Sequence, residues 1–326
     1  MTEEEIVIEN PESIEVKGVS PCRNIINILS RGFKQDKNIN TRTPSITLLI
    51  LNQTIDIGKL FINLWDNSCL RVCADGAANK VYNFFQDEEE RRKHIPDYII
   101  GDLDSIDKEV LDYYRSLNVK IIKQTTQYST DFTKCVNLIS LHHNSRSFKE
   151  YLQKNESEPN YGIELESGIH IFYDNMMQEV NRLDLLPPMN LIVVNGIGGR
   201  FDQTIHSVTQ LYTLKESDPY FQTSFITSTD IIVLIPKGGT MIEYEHKMRK
   251  QCIGNCGLLP IGKPTTIIET CGLKWDVKNW HTSISSGKVS SNNRFVGQGR
   301  CYINVEDDLV LNIEVYLDKL IEYIYT

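Results

Sequence analysis

The chain has 326 residues, 40% of them hydrophobic, which predicts an ordinary globular protein of about two domains. The formal net charge of −9 excludes a general attraction to nucleic-acid backbones or anionic lipid, so we expect neither nucleic acid nor a membrane as a partner. No apolar run approaches the ~20 residues of a membrane span, and the acidic start does not resemble a signal peptide, so we expect a cytoplasmic protein.

The first half of the chain has the pattern of a parallel α/β domain. Residues 1–42 are polar and weakly periodic, and they predict an N-terminal extension. From residue 43, short buried-strand runs alternate with stretches that have apolar residues at three- and four-residue spacing. The predicted strands are 45–51, 70–74, 98–100, 119–123 and 191–194. The predicted helices are 77–85, 108–117, 131–141 and 201–215.

Two further regions follow from changes in this pattern. Residues 144–188 are polar and longer than a normal connection, so we interpret them as an insertion in an α/β domain that spans 43–229. From residue 230 the helical signal disappears until the last residues. Short β-branched runs at 231–235, 265–269, 301–305 and 309–315 predict an antiparallel β domain over 230–326. The eight cysteines are scattered, several in apolar runs, and favour reduced thiols over a disulfide framework.

The first motif that could carry chemistry is Asp102-Leu103-Asp104, directly after a predicted strand and Gly101. In an open α/β sheet, ligands bind beyond the carboxyl ends of the strands. Residues i and i+2 of an extended segment point to the same side, so these two carboxylates are candidates to share one divalent cation. The alternative is a polar turn that caps the next helix, because an Asp-x-Asp is expected about once by chance in a chain this long.

The second motif, residues 127–134, opens a predicted helix. Free N–H groups at a helix N-terminus attract anions, and Lys134 adds a positive charge for phosphate. Asp131 is a candidate third carboxylate for the same cation. The alternative is an acidic residue that only complements the helix dipole.

Two other strand-to-helix junctions carry similar residues. At 195–203 three glycines permit close approach to a ligand, and Arg200 is suited to grip phosphate oxygens; the alternative is a glycine-rich turn with a surface Arg200–Asp202 pair. At 73–80, Asp75 is a candidate for ribose or for the metal cluster, or a simple helix cap. Four such junctions on one edge of a parallel sheet are far more specific than any one of them.

Together these motifs resemble the thiamine pyrophosphokinase (thiamin diphosphokinase) family, in its eukaryotic, fungal-like form, from about residue 47 to the end of the chain. The resemblance rests on seven segments: Cys-Ala-Asp-Gly at 73–76, Gly-Asp-Leu-Asp-Ser at 101–105, Thr-Asp-Phe-Thr-Lys-Cys at 130–135, Gly-Gly-Arg-Phe-Asp-Gln at 198–203, Gly-Leu-Leu-Pro-Ile-Gly at 257–262, Gly-Leu-Lys-Trp at 272–275 and Ser-Ser-Asn at 290–292. It implies an α/β nucleotide-binding domain followed by a β-sandwich, and a homodimer with sites at the subunit boundary.

The resemblance also implies an activity and a role for each matching residue. The activity is transfer of the pyrophosphoryl group of ATP to the hydroxyl of thiamine, which gives thiamine diphosphate and AMP. Asp102, Asp104 and Asp131 match the Mg²⁺-binding carboxylates, with Asp75 in the same acidic floor. The residues that match the phosphate and thiamine regions are Gln127, Thr130, Arg200 and Asp202.

In the β domain, Trp275 of the neighbouring subunit matches the ring that stacks on thiamine, and Ser291 and Asn292 match positions near its aminopyrimidine. The chain departs from the family pattern at Ala77 and Thr126, where the family commonly has Gly and Asp, and in the 144–188 insertion. In this interpretation Lys134 and Arg200 stabilise charge as AMP leaves. Asp131 and Asp102 are both candidates to take the hydroxyl proton.

Two other functions are compatible with parts of this pattern. A different nucleotide transferase, such as a glycosyltransferase, also uses an Asp-x-Asp to bind a metal diphosphate, but it would not explain the segments around Trp275 and 290–292. A nucleotide or thiamine sensor on the same scaffold would bind these ligands without turnover. The products formed from thiamine, ATP and Mg²⁺ distinguish the three hypotheses.

Overall fold

The computed structural model describes residues 4–27, 46–179 and 186–326. Its strands are β1 (Ile6–Glu9), β2 (Asn24–Asn27), β3 (Ile46–Ile50), β4 (Leu70–Ala74), β5 (Tyr98–Gly101), β6 (Lys120–Lys123), β7 (Met189–Val194), β8 (Phe221–Ile226), β9 (Asp230–Ile235), β10 (Gly238–Glu243), β11 (Ile253–Leu259), β12 (Thr265–Cys271), β13 (Trp275–Thr282), β14 (Ser290–Arg294), β15 (Arg300–Val305) and β16 (Leu309–Val315). Its helices are α1 (Lys59–Asn67), α2 (Ala77–Phe84), α3 (Glu88–Lys93), α4 (Lys108–Ser116), α5 (Asp131–Asn144), α6 (Arg146–Lys154), α7 (Gly168–Glu179), α8 (Phe201–Ser217), α9 (His246–Cys252) and α10 (Leu317–Tyr325).

The chain divides into two compact units. The α/β unit comprises the described residues within Pro44–Thr204 and Ser217–Phe221. The β unit comprises the described residues within Met1–Thr43, Ile205–Glu216 and Gln222–Thr326. The structure confirms the predicted α/β class to the extent that sheets are combined with helices.

In the α/β unit, five strands pair in parallel in the order β7-β3-β4-β5-β6. All five residues of β3 are buried, as expected of a strand covered on both faces. Helix α1 packs against β3, α2 packs against β4, and α5 packs against both β4 and β5. Because parallel strands end at the same edge, the segments that follow β4, β5, β6 and β7 begin on one side of the sheet.

The β unit contains antiparallel strands. One sheet has the order β1-β13-β12-β15-β10-β2, in which only the β10–β2 pair is parallel. The strands β14, β11, β16, β9 and β8 pair in that order, all antiparallel. On β16, Leu309, Leu311 and Ile313 are fully buried, so this strand forms part of the core of the unit.

Most predicted elements of the α/β unit occur with ends shifted by three residues or fewer, and β4 matches its predicted range. Helix α1 was missed, although Leu60, Phe61, Leu64 and Trp65 bury one face at helical spacing. Within the predicted insertion, α6 and α7 form. Residues 1–3 and 28–42 of the predicted N-terminal extension and residues 180–185 of the predicted insertion lie outside the described residues.

The prediction that no helix follows residue 230 before the last residues is wrong, because α9 lies at His246–Cys252. This helix has only seven residues, too few for a clear periodic signal. Met248 and Cys252, four residues apart, are its buried apolar side chains. Arg249 is also buried, and its guanidinium donates a hydrogen bond to the Phe295 carbonyl at 2.8 Å. Tertiary contacts, rather than local periodicity, hold this helix.

Candidate active site

The first site residue is Asp75, at the carboxyl end of β4. Its φ of 42° turns the chain sharply between strand and helix, and its side chain is buried. The Asp75 side chain leaves room only for glycine at residue 101 of the neighbouring strand β5, because a Cβ on Gly101 would lie 2.6 Å from the Asp75 Cβ. Asp75 Oδ2 accepts a long hydrogen bond from the Ser105 N–H at 3.5 Å. Its Oδ1 is buried and has no hydrogen-bond partner among the described residues.

Asp102 and Asp104 follow β5, but not in the extended conformation that the sequence suggested. Leu103 has a φ of 62°, so the chain turns between the two acidic residues. The Asp104 N–H donates to Asp102 Oδ1 at 3.3 Å, and the Ser105 hydroxyl donates to Asp104 Oδ1 at 2.8 Å. A side chain that bonds the backbone two residues on is typical of Asp in turns. The prediction of an extended segment is therefore wrong, although the two carboxylates still lie close together.

Asp75, Asp102 and Asp104 form a group of three carboxylates. One oxygen from each lies within 4.8 Å of the other two, an arrangement that is able to hold one metal ion. Sequence reasoning placed Asp131 among the ligands and Asp75 beside them. Within the part of the chain that the structure describes, Asp75 completes the group and Asp131 is not one of its three members.

Asp75 and Asp102 do not ionise independently. Burial raises the pKa of Asp75 to about 7, and the adjacent Asp102 and the negative charge of Asp131 act in the same direction. Burial opposes ionisation of Asp102 as well, yet hydrogen bonding with Asp75 and Gln127 lowers its pKa below the ordinary value. Near neutral pH a substantial fraction of the Asp75 carboxyls is therefore protonated, and a bound cation would displace that proton because it offsets the repulsion between the neighbouring negative charges.

The segment before α5 contributes a second set of polar residues. The Gln127 side-chain amide donates to Asp102 Oδ2 at 3.2 Å. Thr130 caps α5, since its hydroxyl accepts the Thr133 N–H at 3.4 Å. Lys134 is almost fully buried, and its ammonium lies 3.0 Å from Asp131 Oδ1. Burial raises the pKa of Asp131, although Lys134 acts in the opposite direction.

The predicted glycine-rich loop follows β7. Arg200 and Asp202 form a two-pronged ion pair, with Nε to Oδ1 at 3.1 Å and a terminal nitrogen to Oδ2 at 2.6 Å. Both side chains are exposed, so the pair is weak and open to exchange with a ligand. Gly199 has a φ of 63°, which favours glycine at that position.

Sequence reasoning missed the residues that follow β3. The Gln53 side chain donates to the Gly198 carbonyl at 2.9 Å, and Asn195 donates to the Gln53 carbonyl at 2.9 Å. A Cβ on Gly76 would lie 2.5 Å from the amide nitrogen of Asn52. The signal was present, because Asn52 and Gln53 are polar residues directly after a buried strand.

Trp275, Ser291 and Asn292 lie in the β unit. Trp275 begins β13 and is 37% exposed, and its backbone exchanges two hydrogen bonds with the Asn293 side chain, at 3.1 and 2.8 Å. Ser291 and Asn292 are exposed on β14. A cavity of about 150 Å³ beside them is lined by Trp275, Trp280, Ser290, Asn293, Val7, Leu258, Ile267 and Val277. Trp280 and Asn293 were not predicted, and only their contacts in the fold identify them.

None of the helices in the described ranges is both long and apolar enough to cross a membrane.

Comparison with known proteins connects these features. Residues 61–222 match the model of the thiamin pyrophosphokinase catalytic domain, and residues 242–310 match the model of the thiamin pyrophosphokinase vitamin B1 binding domain. The thiamine pyrophosphokinase of Saccharomyces cerevisiae is 53% identical over 97% of this chain and 98% of its own. The crystal structure of the yeast enzyme matches with a TM-score of 0.90 and 52% identity, over 98% of this chain and 99% of that one.

A second solved structure, thiamin pyrophosphokinase from Candida albicans, matches with a TM-score of 0.79 and 36% identity, over 97% of this chain and 100% of that chain. Two family models and a relative similar over nearly the full length of both chains lead to one conclusion. The chain belongs to the thiamine pyrophosphokinase family.

Proposed function

We propose that this enzyme transfers the pyrophosphoryl group of ATP to the hydroxyl of thiamine, giving thiamine diphosphate and AMP. The observation that carries the proposal is the group of Asp75, Asp102 and Asp104 at one edge of the parallel sheet, in a chain that belongs to this family. Gln127 is bonded to Asp102, and the buried Lys134 is paired with Asp131, whose charge raises the pKa of Asp75. A triphosphate needs this combination of metal ligands and positive charge.

We propose that Mg²⁺ binds at Asp102, Asp104 and Asp131, with Asp75 in the same acidic floor. The acidic floor as a whole fits such an ion, because Asp75, Asp102 and Asp104 bring three carboxylate oxygens within 4.8 Å of one another and Asp75 Oδ1 is buried without a hydrogen-bond partner among the described residues. Carboxylate oxygens are the ligands that Mg²⁺ prefers. When bound, the ion supplies positive charge that offsets the negative charge of the phosphates.

The chain's own residues then bind and orient the reacting groups. Lys134 and Arg200 supply positive charge to phosphate oxygens, and Arg200 exchanges its exposed pairing with Asp202 for the ligand. Gln127 and Thr130 stand at the start of α5, where free backbone N–H groups also attract phosphate. The thiamine hydroxyl attacks the β-phosphorus in line as AMP leaves. Asp131 and Asp102 are the two carboxylates able to take its proton.

We propose that thiamine stacks on Trp275 of the neighbouring subunit, near Ser291 and Asn292, in a homodimer with sites at the subunit boundary. The 37% exposure of Trp275 at the margin of a cavity supports this role, since a fully buried ring offers no face to a ligand.

We further propose the domain division 1–42, 43–229 and 230–326, with a β-sandwich in the last domain and a parallel-sheet nucleotide-binding domain in the second. Family matches at residues 61–222 and 242–310 support this division. All eight cysteines are free thiols, which supports a reducing, cytoplasmic location.

One product analysis tests the function. The protein is incubated with thiamine, ATP and Mg²⁺, and the nucleotides and thiamine species are separated. Formation of AMP and thiamine diphosphate in equal amounts is the expected result. Thiamine-dependent ADP would indicate a different phosphotransfer, and binding of both ligands without products would indicate a sensor; either result would reject the proposal.

A further inference from the structure

Part of the predicted insertion lies alongside the segment that leads to α5. The Thr125 N–H donates to the Leu165 carbonyl at 2.6 Å, and the Thr126 N–H donates to the Glu166 carbonyl at 3.1 Å. These are backbone hydrogen bonds, and they pair two short stretches of chain side by side. Residues 165–166 thus hold the beginning of the 125–130 segment, which carries two of the predicted site residues.

A buried amide extends this contact to α7. Gln124 is fully buried, and its side-chain nitrogen donates to the Glu164 carbonyl at 2.8 Å. Its side-chain oxygen accepts the N–H of Ile169, in the first turn of α7, at 2.9 Å. Because both ends of a buried amide are satisfied across the contact, moving α7 would leave polar groups without partners. The position of α7 is therefore set relative to the end of β6.

His170 is the residue of α7 that contacts the active-site segment directly. Its Nδ1 lies 2.7 Å from the side-chain nitrogen of Asn137, and its Nε2 lies 2.7 Å from the Ser129 hydroxyl oxygen. An amide nitrogen only donates, so Nδ1 is the acceptor in the first bond. Burial lowers the pKa of His170, which keeps the ring neutral.

These partners determine the tautomer of the ring. A neutral imidazole with an accepting Nδ1 carries its proton on Nε2, so Nε2–H donates to the Ser129 oxygen. The Ser129 hydroxyl is thereby oriented, and its own proton is left to donate to another acceptor. Ser129 stands between Gln127 and Asp131, so a phosphate oxygen bound at the start of α5 is an acceptor of suitable chemistry.

We propose that His170 is a positioning residue for the transfer reaction: it orients the Ser129 hydroxyl and holds the 127–130 segment in the conformation that presents it to the nucleotide phosphates. The proposal rests on the proposed function. In this proposal, helix α7 of the predicted 144–188 insertion supports a loop at the active site. No such role is visible in the sequence, because His170 lies 41 residues from Ser129.

The test compares two substitutions that each preserve one of the two hydrogen bonds. In His170→Asn the shorter amide stands near the position of Nδ1, so it retains the bond to Asn137 and loses Ser129. In His170→Gln the longer amide reaches toward Ser129. We expect His170→Asn to lower kcat about 3- to 10-fold, the range for loss of one hydrogen bond, and His170→Gln to retain most of the activity.

Two controls separate positioning from general stability. Asn175→Ala changes an exposed position on the same helix and is expected to leave kcat unchanged. Ser129→Ala removes the same hydrogen bond without altering α7. If His170 acts through Ser129, adding His170→Asn to Ser129→Ala causes no further loss of kcat. The urea midpoint of each variant is measured beside its kcat, so that activity is expressed per folded protein.

Each result has a defined meaning. Wild-type kcat in His170→Asn, equal losses in the Asn and Gln variants, or multiplicative losses in the double variant would overturn the positioning role. If His170→Asn fails to fold, Ser129→Ala and His170→Gln still decide the question. Failure of the wild-type protein to form AMP and thiamine diphosphate would instead overturn the proposed function, and it is measured first.

Discussion

Asp131 shows how burial and charge act on one carboxylate. Burial raises its pKa, while the Lys134 ammonium at 3.0 Å favours the ionised form. Asp131 is only half-buried, but Lys134 is almost fully buried, so removal of the Asp131 charge leaves a buried ammonium without compensation. Substitution at this residue therefore tests its part in metal and phosphate binding.

We expect Asp131→Asn to lower turnover by at least 100-fold, since loss of a metal ligand removes several kcal/mol of transition-state stabilisation. The steady-state rate of AMP formation at saturating ATP, thiamine and Mg²⁺ measures the effect. Asp112→Asn, an exposed acidic residue on α4 paired with Arg115, is the matched control. Near-wild-type turnover in Asp131→Asn, with the control also active, would refute the metal assignment.

Trp275 supports a second prediction at the residue scale. We expect Trp275→Ala to raise the KM for thiamine about 10-fold or more and to change the KM for ATP much less, because a stacked aromatic ring contributes about 1–2 kcal/mol of contact energy. Initial rates over a matrix of both substrates measure the two constants. Lys278→Ala, on the opposite face of the same strand, is the control. An unchanged thiamine KM would leave Trp275 with a purely structural role.

At the scale of elements, α5 carries two histidines that pack toward the sheet. The ring of His142 lies 3.1 Å from the Tyr98 hydroxyl, and that of His143 lies 2.9 Å from the Thr47 hydroxyl. Burial lowers the pKa of each from 6.5 to about 4. Both rings are therefore neutral in the folded protein at pH values where the unfolded chain already takes up protons.

This difference predicts an acid-dependent loss of stability. Because the pKa of each histidine is lower in the folded protein than in the unfolded chain, the unfolded chain binds more protons between pH 6.5 and pH 4. The folded state therefore loses stability as the pH falls from 6.5 toward 4. We expect the double variant His142→Asn/His143→Gln to lose less unfolding free energy than wild type between pH 6.5 and 4. Urea unfolding at half-unit pH steps measures the slope. Parallel slopes for the two proteins would contradict the prediction.

The α/β elements were largely predictable from local pattern, and the misses have physical causes. Buried parallel strands such as β3 are continuous apolar runs, and α5 has apolar residues at helical spacing. Helix α9 and the polar strand β14 were missed, because tertiary partners, not their own composition, stabilise them. The extended Asp-x-Asp failed for a similar reason, since Leu103 adopts φ 62° within a hydrogen-bonded turn.

At the scale of the whole molecule, the proposed homodimer with sites at the subunit boundary predicts complementation between two variants. We expect Asp131→Asn to inactivate the part of a site that the α/β unit supplies, and Trp275→Ala to weaken the part that binds thiamine. If two chains contribute to each site, mixing the variants produces some sites with neither substitution. We expect activity to recover to about a quarter of wild type after random exchange of an equimolar mixture, measured at low thiamine concentration, where Trp275→Ala alone retains about a tenth or less of the wild-type rate.

Subunit exchange is confirmed independently, with one variant carrying an affinity tag that retrieves the other. Exchange without recovery of activity would mean that each chain holds its own complete site. Each variant alone, taken through the same mixing procedure, is the control.

The sequence by itself determined the family, the alternation of strands and helices, and the residue types at the strand ends. Those properties are local, because apolar periodicity, turn residues and short motifs such as 101–105 and 198–203 each depend only on residues that are close together in the sequence. Motifs at the carboxyl ends of parallel strands share one edge, which is the basis of the predicted metal ligands, and the family resemblance supplies the expected acceptor.

Only the tertiary structure decided which side chains meet. It placed Asp75 beside Asp102 and Asp104 because Gly101 leaves room for its side chain, and it joined Gln53 to the glycine loop across 145 residues. It also joined His170 to Ser129. Contacts between residues far apart in the chain depend on packing and on the completion of buried hydrogen bonds, which no local pattern contains.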